Sequence, residues 1–323
     1  MPDTPVPDTP LPEQPVPEQP VPEQPVPEQP VAAQSAAEPE PAQSAAEQPE
    51  AYVPPGTGWP GDLATPATPV ARNAADVRAL AASADSLTQL AARQSVCRAC
   101  DRLVQWREQV ALTKRRSFQH ETYWGRPVAG WGDDLASILV LGLAPAAHGG
   151  NRTGRVFTGD RSGDVLFASL YRCGLATQPE SVTAGDGQRL IGVRMAAAVR
   201  CAPPANKPEP QERDCCAPWL TAEFRLLSDS LSVVVCLGHF AWQALWAQLS
   251  IGGYQLPRPR PAFGHGTEVS VAAGGAGRPL IVLGCYHPSQ QNTFTGRVTD
   301  VMLDAVFGRA RELSQRAARD YRG

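Results

Sequence analysis

Residues 137–143 read SILVLGL, and this continuous apolar run decides the fold of the chain. Such a run is typical of a strand buried on both faces, because helices cover both faces of a parallel sheet. Further strands are predicted over residues 193–199, 233–237 and 280–285. Helices are predicted over residues 76–93, 101–108, 162–173, 209–228, 240–249 and 298–318. The alternation of strands and helices predicts an α/β fold with a central, mostly parallel sheet flanked by helices.

Residues 1–72 are set apart by their composition. The first 70 residues hold 20 of the 33 prolines and 11 aspartates or glutamates but no lysine or arginine, and residues 12–30 repeat a Pro-Glu-Gln-Pro-Val unit. Proline removes a backbone donor and fixes φ, and the repeated glutamates repel one another. We therefore predict a disordered, extended N-terminal tail over 1–72 and a folded domain over 73–323. A docking peptide for a proline-binding partner is the alternative interpretation of the tail.

The remainder of the chain is basic. Residues 71–323 carry 29 lysines or arginines against 21 aspartates or glutamates, a net charge of +8. No run of about 18 apolar residues occurs, and the N-terminus lacks the basic and apolar regions of a secretory signal. We therefore expect no membrane segment and a cytoplasmic protein, whose eight cysteines favour metal binding over disulfides.

Three loops follow predicted strands, over residues 142–164, 200–218 and 285–298. In parallel sheets, ligands bind in the loops beyond the carboxyl ends of the strands. The first loop is rich in glycine, which lets backbone amides approach a ligand closely. Its spacing is neither a dinucleotide fingerprint nor a phosphate-binding Walker loop. The residues alone therefore predict a ligand-binding loop without naming the ligand.

Candidate functional side chains in these loops each have a plain structural alternative. Asp160 stands just before a predicted helix and is either a functional carboxylate or an N-cap, and Phe157 is most simply a core residue. The Asn206 amide can pair with the edge of a pyrimidine, or the residue serves in a turn. His287 lies at the end of a predicted strand, and its alternative is a hydrogen bond to backbone. The polar run 289–297 suits a loop that enters a groove or touches phosphates, or it is a solvent-exposed loop.

Four cysteines form the clearest chemical pattern. Cys97 and Cys100 form a Cys-x-x-Cys pair, and Cys201 and Cys216 lie together in the second loop region. Four thiolates from two distant segments are typical of a tetrahedral zinc site or a cubane iron–sulfur cluster, and both stay open. Cys215 competes with Cys216 as the fourth ligand. The remaining cysteines lie in apolar contexts and are predicted to be ordinary buried thiols: Cys173, Cys236 and Cys285.

These loops and cysteines resemble the uracil-DNA glycosylase superfamily, and specifically its type-5 branch with an iron–sulfur cluster. Three stretches are similar to the motifs of that branch: GLAPAAHGGNRTGRVFTGDRSG at 142–163, RCAPPANKP at 200–208 and HPSQQNTFTGR at 287–297. CRAC at 97–100 and the pair Cys201 and Cys216 are similar to its cluster ligands. The resemblance covers essentially the whole folded domain and leaves the N-terminal tail outside.

The resemblance implies a monomeric DNA-repair enzyme that flips a deaminated base out of DNA and hydrolyses its N-glycosidic bond, leaving an abasic site. It implies uracil as the substrate base, with hypoxanthine and etheno-cytosine as further bases. The charge of +8 would then neutralise DNA phosphates. Two alternatives stay open: a non-catalytic, metal-containing DNA-binding protein on the same fold, and a zinc-stapled hydrolase of another nucleotide substrate.

The resemblance also implies roles for single residues. Ala144 and Ala146 stand where many relatives carry a polar catalytic residue, so the catalytic carboxylate falls to Asp160. His287 is implied as the second catalytic group and Asn206 as the reader of the base edge. The other implied site residues are Phe157, Ala144 and His148 for the substrate, Asn292 and Arg297 for DNA, and Cys97, Cys100, Cys201 and Cys216 for a 4Fe–4S cluster.

Overall fold

A sheet of six strands forms the centre of the protein, counted over residues 51–274 and 278–320, which this computed structural model describes. The strands are β1 (Trp131–Gly132), β2 (Ile138–Gly142), β3 (Val193–Ala197), β4 (Val233–Leu237), β5 (Glu268–Val271) and β6 (Leu280–Cys285). Their order across the sheet is β1-β3-β2-β4-β6-β5. The middle four are parallel, and β1 and β5 pair antiparallel at the two edges. The predicted fold class is confirmed.

The four parallel strands lie where the sequence predicts them. β2, β3 and β4 are buried along their whole length, as their continuous apolar runs require. In the sheet, Ile138 pairs with Val193 on one side and with Val233 on the other. The sequence does not predict the edge strands, because β1 has only two residues and β5 has only four, of which Val271 alone is buried.

Helices cover both faces of the sheet. They are α1 (Ala74–Ala82), α2 (Leu87–Ser95), α3 (Asp101–Thr113), α4 (Gly150–Thr153), α5 (Arg161–Arg172), α6 (Pro210–Leu226), α7 (His239–Ile251), α8 (Gln290–Phe294) and α9 (Asp300–Asp320). α5 and α9 pack on one face around Phe167 and Phe307. α1, α2, α6 and α7 pack on the other face around Trp219 and Trp246. Within the described ranges, no helix is long and apolar enough to cross a membrane.

The single helix predicted over 76–93 is wrong in one respect, because the structure divides it into α1 and α2. The Asn73 side chain caps α1 by accepting from two backbone N–H groups, at 2.9 and 3.0 Å. The Ser86 hydroxyl caps α2 by accepting from the N–H of Gln89 at 3.2 Å. A serine that can cap a new helix favours a break in the chain over a continuous helix.

The sequence prediction assigns residues 51–72 to the tail, and the structure corrects this boundary. Val53 is buried, and its N–H donates to a backbone carbonyl of the folded domain at 3.0 Å. Asp62 forms a buried ion pair with Arg126 at 2.5 Å. This segment packs without forming a helix or strand. Because it has no regular structure, its sequence shows no hydrophobic period and looks like that of a linker. The rest of the predicted tail, residues 1–50, lies outside the described residues.

Two N-terminal deletions are expected to behave differently. Removing residues 1–50 should leave the urea midpoint unchanged, because their proline- and glutamate-rich sequence is predicted to form no packed structure. Removing residues 1–72 deletes Asp62 and leaves Arg126 as an uncompensated buried charge, which costs about 3–5 kcal/mol. Urea unfolding of the two truncated proteins beside the full chain measures the difference. Equal stability of all three would contradict the packing role of residues 51–72.

Candidate active site and cysteine cavity

The three predicted ligand loops meet at one edge of the sheet. They follow the carboxyl ends of β2, β3 and β6, which run in the same direction. Phe157 from the first loop and His287 from the third lie with their ring centroids 6.4 Å apart. The structure therefore brings two of the predicted site residues together at the place where α/β proteins bind ligands.

Phe157 has a backbone conformation that is unusual for a bulky residue. Its φ is +56°, in the left-handed region, which costs on the order of 1–3 kcal/mol and recurs at functional sites. The ring lies over Gly142 at the end of β2, where any Cβ would overlap it. Phe157 is buried and belongs to the core. Phe157 is thus a core residue, which is the structural alternative given for it above. Its ring also lies next to that of His287.

Asp160 caps α5, as its structural alternative predicts. Its Oδ1 accepts a hydrogen bond from the N–H of Gly163 at 2.9 Å. Its Oδ2 lies against Gly149 of the first loop, where a Cβ would overlap the carboxylate. Burial raises the pKa of Asp160, and the Gly163 N–H opposes this shift. Gly163 also packs against the Phe157 carbonyl, so one turn positions both the carboxylate and the aromatic ring.

His287 is half-buried at the end of β6. Burial lowers the pKa of His287 to about 4, so the imidazole is neutral at neutral pH and carries one N–H. The Asn292 side chain donates its amide N–H to the His287 carbonyl at 2.8 Å and so holds the loop in shape. The structure gives Asn292 this role within the loop, and its contact with DNA stays a prediction.

The lowered pKa of His287 predicts a pH dependence of stability. The ordinary pKa of histidine is near 6.5, so between about pH 6.5 and pH 4 the unfolded chain binds a proton that folded His287 does not. The free energy of unfolding should therefore fall as the pH is lowered through this window. Urea midpoints at pH 7 and pH 4.5 should differ less in His287→Gln than in the unchanged protein. An identical difference would contradict the burial of a neutral imidazole.

Asn206 lies in a turn, with its side chain in solvent. Residues Pro204–Asn206 form a single 3-10 turn in which Ala205 and Asn206 have φ values of +51° and +55°. Asparagine tolerates the left-handed region better than most residues, which accounts for the turn interpretation. Within the described residues, the Asn206 amide group has no hydrogen-bond partner, so it is free to pair with a ligand.

Ala144 and His148 lie in the first loop but contact different neighbours. Ala144 is half-buried and packs with Val199 and Cys201, next to the cysteines. The His148 Nδ1 lies 3.0 Å from the Tyr123 hydroxyl. Burial first, and then nearby arginines, lower the pKa of His148. The contacts described for these two residues are thus with the cysteine region and with Tyr123, and their substrate roles stay predictions.

Arg297 is exposed at the end of the third loop. Its guanidinium lies 5.0 Å from the ring centre of Tyr286, the residue before His287. A cation over an aromatic face is a weak attraction that leaves the N–H donors available. The N–H donors of Arg297 are therefore available beside the candidate site, and its contact with DNA stays a prediction.

Arg152 supports the first loop, and the sequence analysis missed it. This buried arginine donates from Nη2 to the Gly159 carbonyl at 2.7 Å and from Nε to the His148 carbonyl at 2.9 Å. It also pairs with Glu121. The loop that carries Asp160 is thus held from within by one side chain. Only the placement of the backbone distinguishes such an arginine from an exposed one, so the sequence holds no signal for it.

A buried carboxylate anchors the second loop in the same way. Glu223 accepts hydrogen bonds from Arg194 Nε at 2.6 Å and from Arg200 Nη2 at 2.5 Å. The two arginines hold the pKa of Glu223 below its usual range despite its burial. Arg200 begins the loop that continues to Asn206. The network therefore fixes the start of that loop against α6.

Five cysteines line one largely apolar cavity between α3, α6 and the second loop. They are Cys97, Cys100, Cys201, Cys215 and Cys216. Arg107 donates from Nη1 to the Cys201 sulfur at 3.0 Å, and the backbone N–H of Arg200 donates to the Cys216 sulfur at 3.4 Å. Cys100 and Cys215 lie within hydrogen-bonding reach of each other. Both candidates for the fourth ligand thus reach the cavity.

The chemistry of this cavity fits an anionic sulfur-ligated group. Burial raises the pKa of Cys97 to about 11, and the neighbouring Cys201 adds to the shift. The thiols are crowded in an apolar cavity, and N–H donors point at two of their sulfurs. This suits a cluster whose positively charged iron atoms would bind the sulfurs as thiolates, with release of the thiol protons. In the described part of the chain, no group of three or more His, Cys, Asp or Glu residues is arranged to hold a metal ion. The residue types that line the cavity fit the predicted group, whereas their arrangement is not that of a metal site, so the presence of the cluster stays a prediction.

Comparisons with known proteins show the family of the chain. Residues 129–310, more than half of the chain, match the family model described as the uracil DNA glycosylase superfamily. The chain is 56% identical over 262 residues to a type-5 uracil-DNA glycosylase of Mycobacterium bovis, which covers 81% of this chain and 94% of that protein. It is 47% identical over 220 residues to a type-5 uracil-DNA glycosylase of Thermus thermophilus, which covers 68% and 94%. The chain therefore belongs to the uracil-DNA glycosylase superfamily, in its type-5 branch.

Proposed function

We propose that this protein excises uracil from DNA by hydrolysing the N-glycosidic bond. The observation that carries the proposal is the meeting of Phe157, the neutral His287 and the turn of Asp160 at one edge of the sheet. An aromatic face, a hydrogen-bond donor and a carboxylate are the groups that this reaction needs. The type-5 uracil-DNA glycosylases to which the chain is similar support the same substrate.

The reaction begins with a base that leaves the duplex, because the bond cannot be reached inside the stack. The Phe157 ring offers a face on which the flipped base stacks. The free amide of Asn206 pairs with the edge of the base, since it offers both donors and an acceptor. These two side chains bind the base and contribute no charge to the chemical step.

Charge develops as the glycosidic bond lengthens: the sugar becomes cationic and the base becomes anionic. Neutral His287 donates its N–H to the base carbonyl, where the negative charge collects. The Asp160 carboxylate orients the attacking water and offsets the positive charge on the sugar. Its raised pKa makes it a better base than an exposed aspartate.

We also propose that Cys97, Cys100, Cys201 and Cys216 hold a 4Fe–4S cluster. When bound, the cluster would link the residues before α3 to the start of the second loop by sulfur–iron bonds. Hydrolysis requires no electron transfer, so the role of these cysteines is structural. Through Cys201 they support the loop that carries Asn206.

An excision assay on a panel of duplexes tests the proposed function. Single-turnover cleavage is measured on duplexes that contain uracil, hypoxanthine, etheno-cytosine or thymine at one position. Uracil should be released and thymine retained, with hypoxanthine and etheno-cytosine as the further bases. Asn206→Ala should change the ratio of rates among these bases, because it removes the contact with the base edge. Binding of the uracil duplex without any excision would favour the non-catalytic DNA-binding protein instead.

We propose that the enzyme acts on the chromosomal DNA of the cytoplasm, and that it acts as a monomer. All of the candidate site residues come from one chain, so the chemistry needs no second copy. Size-exclusion chromatography of the active protein with and without duplex DNA tests this assignment.

A further inference from the structure

The segment between α7 and β5 carries two arginines that the site described above does not use. Residues 257–261 read Pro-Arg-Pro-Arg-Pro, and we call them the arginine strap. Arg258 and Arg260 are both exposed, and within the described part of the chain neither forms a hydrogen bond or an ion pair. Other exposed arginines do have partners, for example Arg309 with Glu268 and Arg172 with Asp304.

The C-terminal end of the strap is held by a hydrogen bond and by aromatic packing. The Trp242 indole N–H donates to the Pro261 carbonyl at 3.1 Å. The Phe263 ring packs 5.8 Å from Trp242 and 5.9 Å from Tyr286. Three prolines in five residues restrict φ along the strap. The backbone that carries the two arginines therefore loses little further conformational entropy when a ligand binds.

The residues after the strap bind to β6 and to Tyr286, next to the candidate active site. Beyond the strap, Gly266 donates to the carbonyl of Gly284 in β6 at 2.8 Å. The N–H of Tyr286 donates to His265 Nδ1 at 3.1 Å. Because Tyr286 precedes His287, these bonds fix the strap at the same edge of the sheet as the catalytic loops.

Positive charge extends from the active site along this edge. Arg297 lies over Tyr286, which contacts Phe263, and Phe263 in turn contacts the tryptophan that holds the strap. Arg260 also lines a groove between α6 and α7, together with Arg213 from the first turns of α6. Arg213 is partly neutralised by Asp214, whereas Arg258 and Arg260 are not. Of the arginines of this groove and the strap, the two without an ion pair in the described ranges are thus Arg258 and Arg260.

We propose that Arg258 and Arg260 bind the phosphodiester backbone of DNA outside the nucleotide that is excised. The proposal rests on the proposed function, because it assigns the partner as the same DNA. Two unpaired guanidinium groups on a restrained backbone suit phosphate oxygens, which accept several N–H bonds from each arginine. Such contacts position the duplex and carry no information about the base.

The double variant Arg258→Gln, Arg260→Gln in the full chain tests the strap. On a long uracil duplex, its Kd at about 50 mM salt should rise about tenfold or more, and the negative slope of log K against log salt should become shallower by about 1.8. The deficit should therefore shrink about tenfold when salt is raised from about 50 to about 200 mM. On a short duplex with few base pairs around the uracil, the two proteins should bind alike. The single-turnover rate at saturating DNA should stay unchanged.

A matched control removes two arginines elsewhere. The control is the double variant Arg316→Gln, Arg319→Gln, and both positions lie near the end of α9. Arg316 is about 21 Å along the helix from Met302. The Met302 carbonyl contacts His265 beside the site. This control should keep the DNA affinity and salt slope of the unchanged protein.

The outcomes separate the strap from the proposed function. Equal losses in the strap variant and the control would overturn the proposal, because net charge alone would explain them. Tighter DNA binding by the strap variant would also overturn the proposal. It would indicate that the strap binds the acidic N-terminal residues in place of DNA. Binding to an undamaged long duplex gives the same comparison. This measurement therefore tests the contribution of the strap to DNA affinity even if the unchanged protein fails to excise uracil.

Discussion

Asp160→Asn is expected to lower the single-turnover rate of uracil excision by about 10²–10⁴-fold while leaving the Kd for the uracil duplex nearly unchanged. The carboxylate acts on charge that exists only in the transition state, so its loss lowers the rate more than the affinity. Asparagine keeps an oxygen that can accept from the Gly163 N–H, and it is a good N-cap. The variant therefore removes the negative charge and retains the cap of α5.

Asp160→Ala is the companion variant, because it removes both the charge and the cap. Its rate should fall as far as that of Asp160→Asn, and it should also lose about 1 kcal/mol of stability. His287→Ala should lower the rate by about 10²–10³-fold, because alanine offers no N–H to the base carbonyl. Rates on a uracil duplex are measured beside binding isotherms and urea midpoints. If Asp160→Asn cuts at a near-normal rate, Asp160 is only a helix cap and another group activates the water.

Cys216→Ser is expected to lose bound iron and solubility together. Cys216 is one of four proposed ligands, and the Arg200 N–H already points at its sulfur. Removing one thiolate from a four-thiolate set opens the cluster and leaves the other buried thiols crowded without it. Iron per chain by elemental analysis and the broad visible absorbance of the purified protein measure the loss.

Cys215→Ser is the sharp control for this variant, because its sulfur lines the same cavity and lies beside Cys100. It should retain iron at the level of the unchanged protein. Cys173→Ser, on the far side of the fold next to Asp304, should retain it as well. Iron lost from Cys215→Ser but kept by Cys216→Ser would reverse the ligand assignment. Four thiolates with zinc and no iron would contradict the cluster altogether.

The sequence predicts the parallel part of the sheet well, because each of those strands is a continuous apolar run. The same runs place the three loops, since loops after parallel strands share one edge. A resemblance to known motifs adds the roles of Asp160, His287 and Asn206. The short edge strands stay hidden because two to four residues cannot form a recognisable period.

Other features depend on three-dimensional placement that no local pattern carries. Residues 51–72 have a linker-like composition but pack through Val53 and Asp62. The buried arginines Arg152 and Arg200 look in sequence like any other arginine, although each fixes one of the functional loops. The role of such a long side chain depends on which distant residue it contacts, and the local sequence does not show that contact.

The close approach of Gly149 to the Asp160 carboxylate has a consequence for the evolution of the site. With Oδ2 lying where a Cβ at position 149 would be, the two positions cannot vary independently. A lineage that replaced the glycine first would push the carboxylate out of place, and one that lost the carboxylate first would release the constraint on the glycine. In an alignment of this branch, we expect side chains larger than hydrogen at position 149 to occur together with a shorter or uncharged residue at position 160.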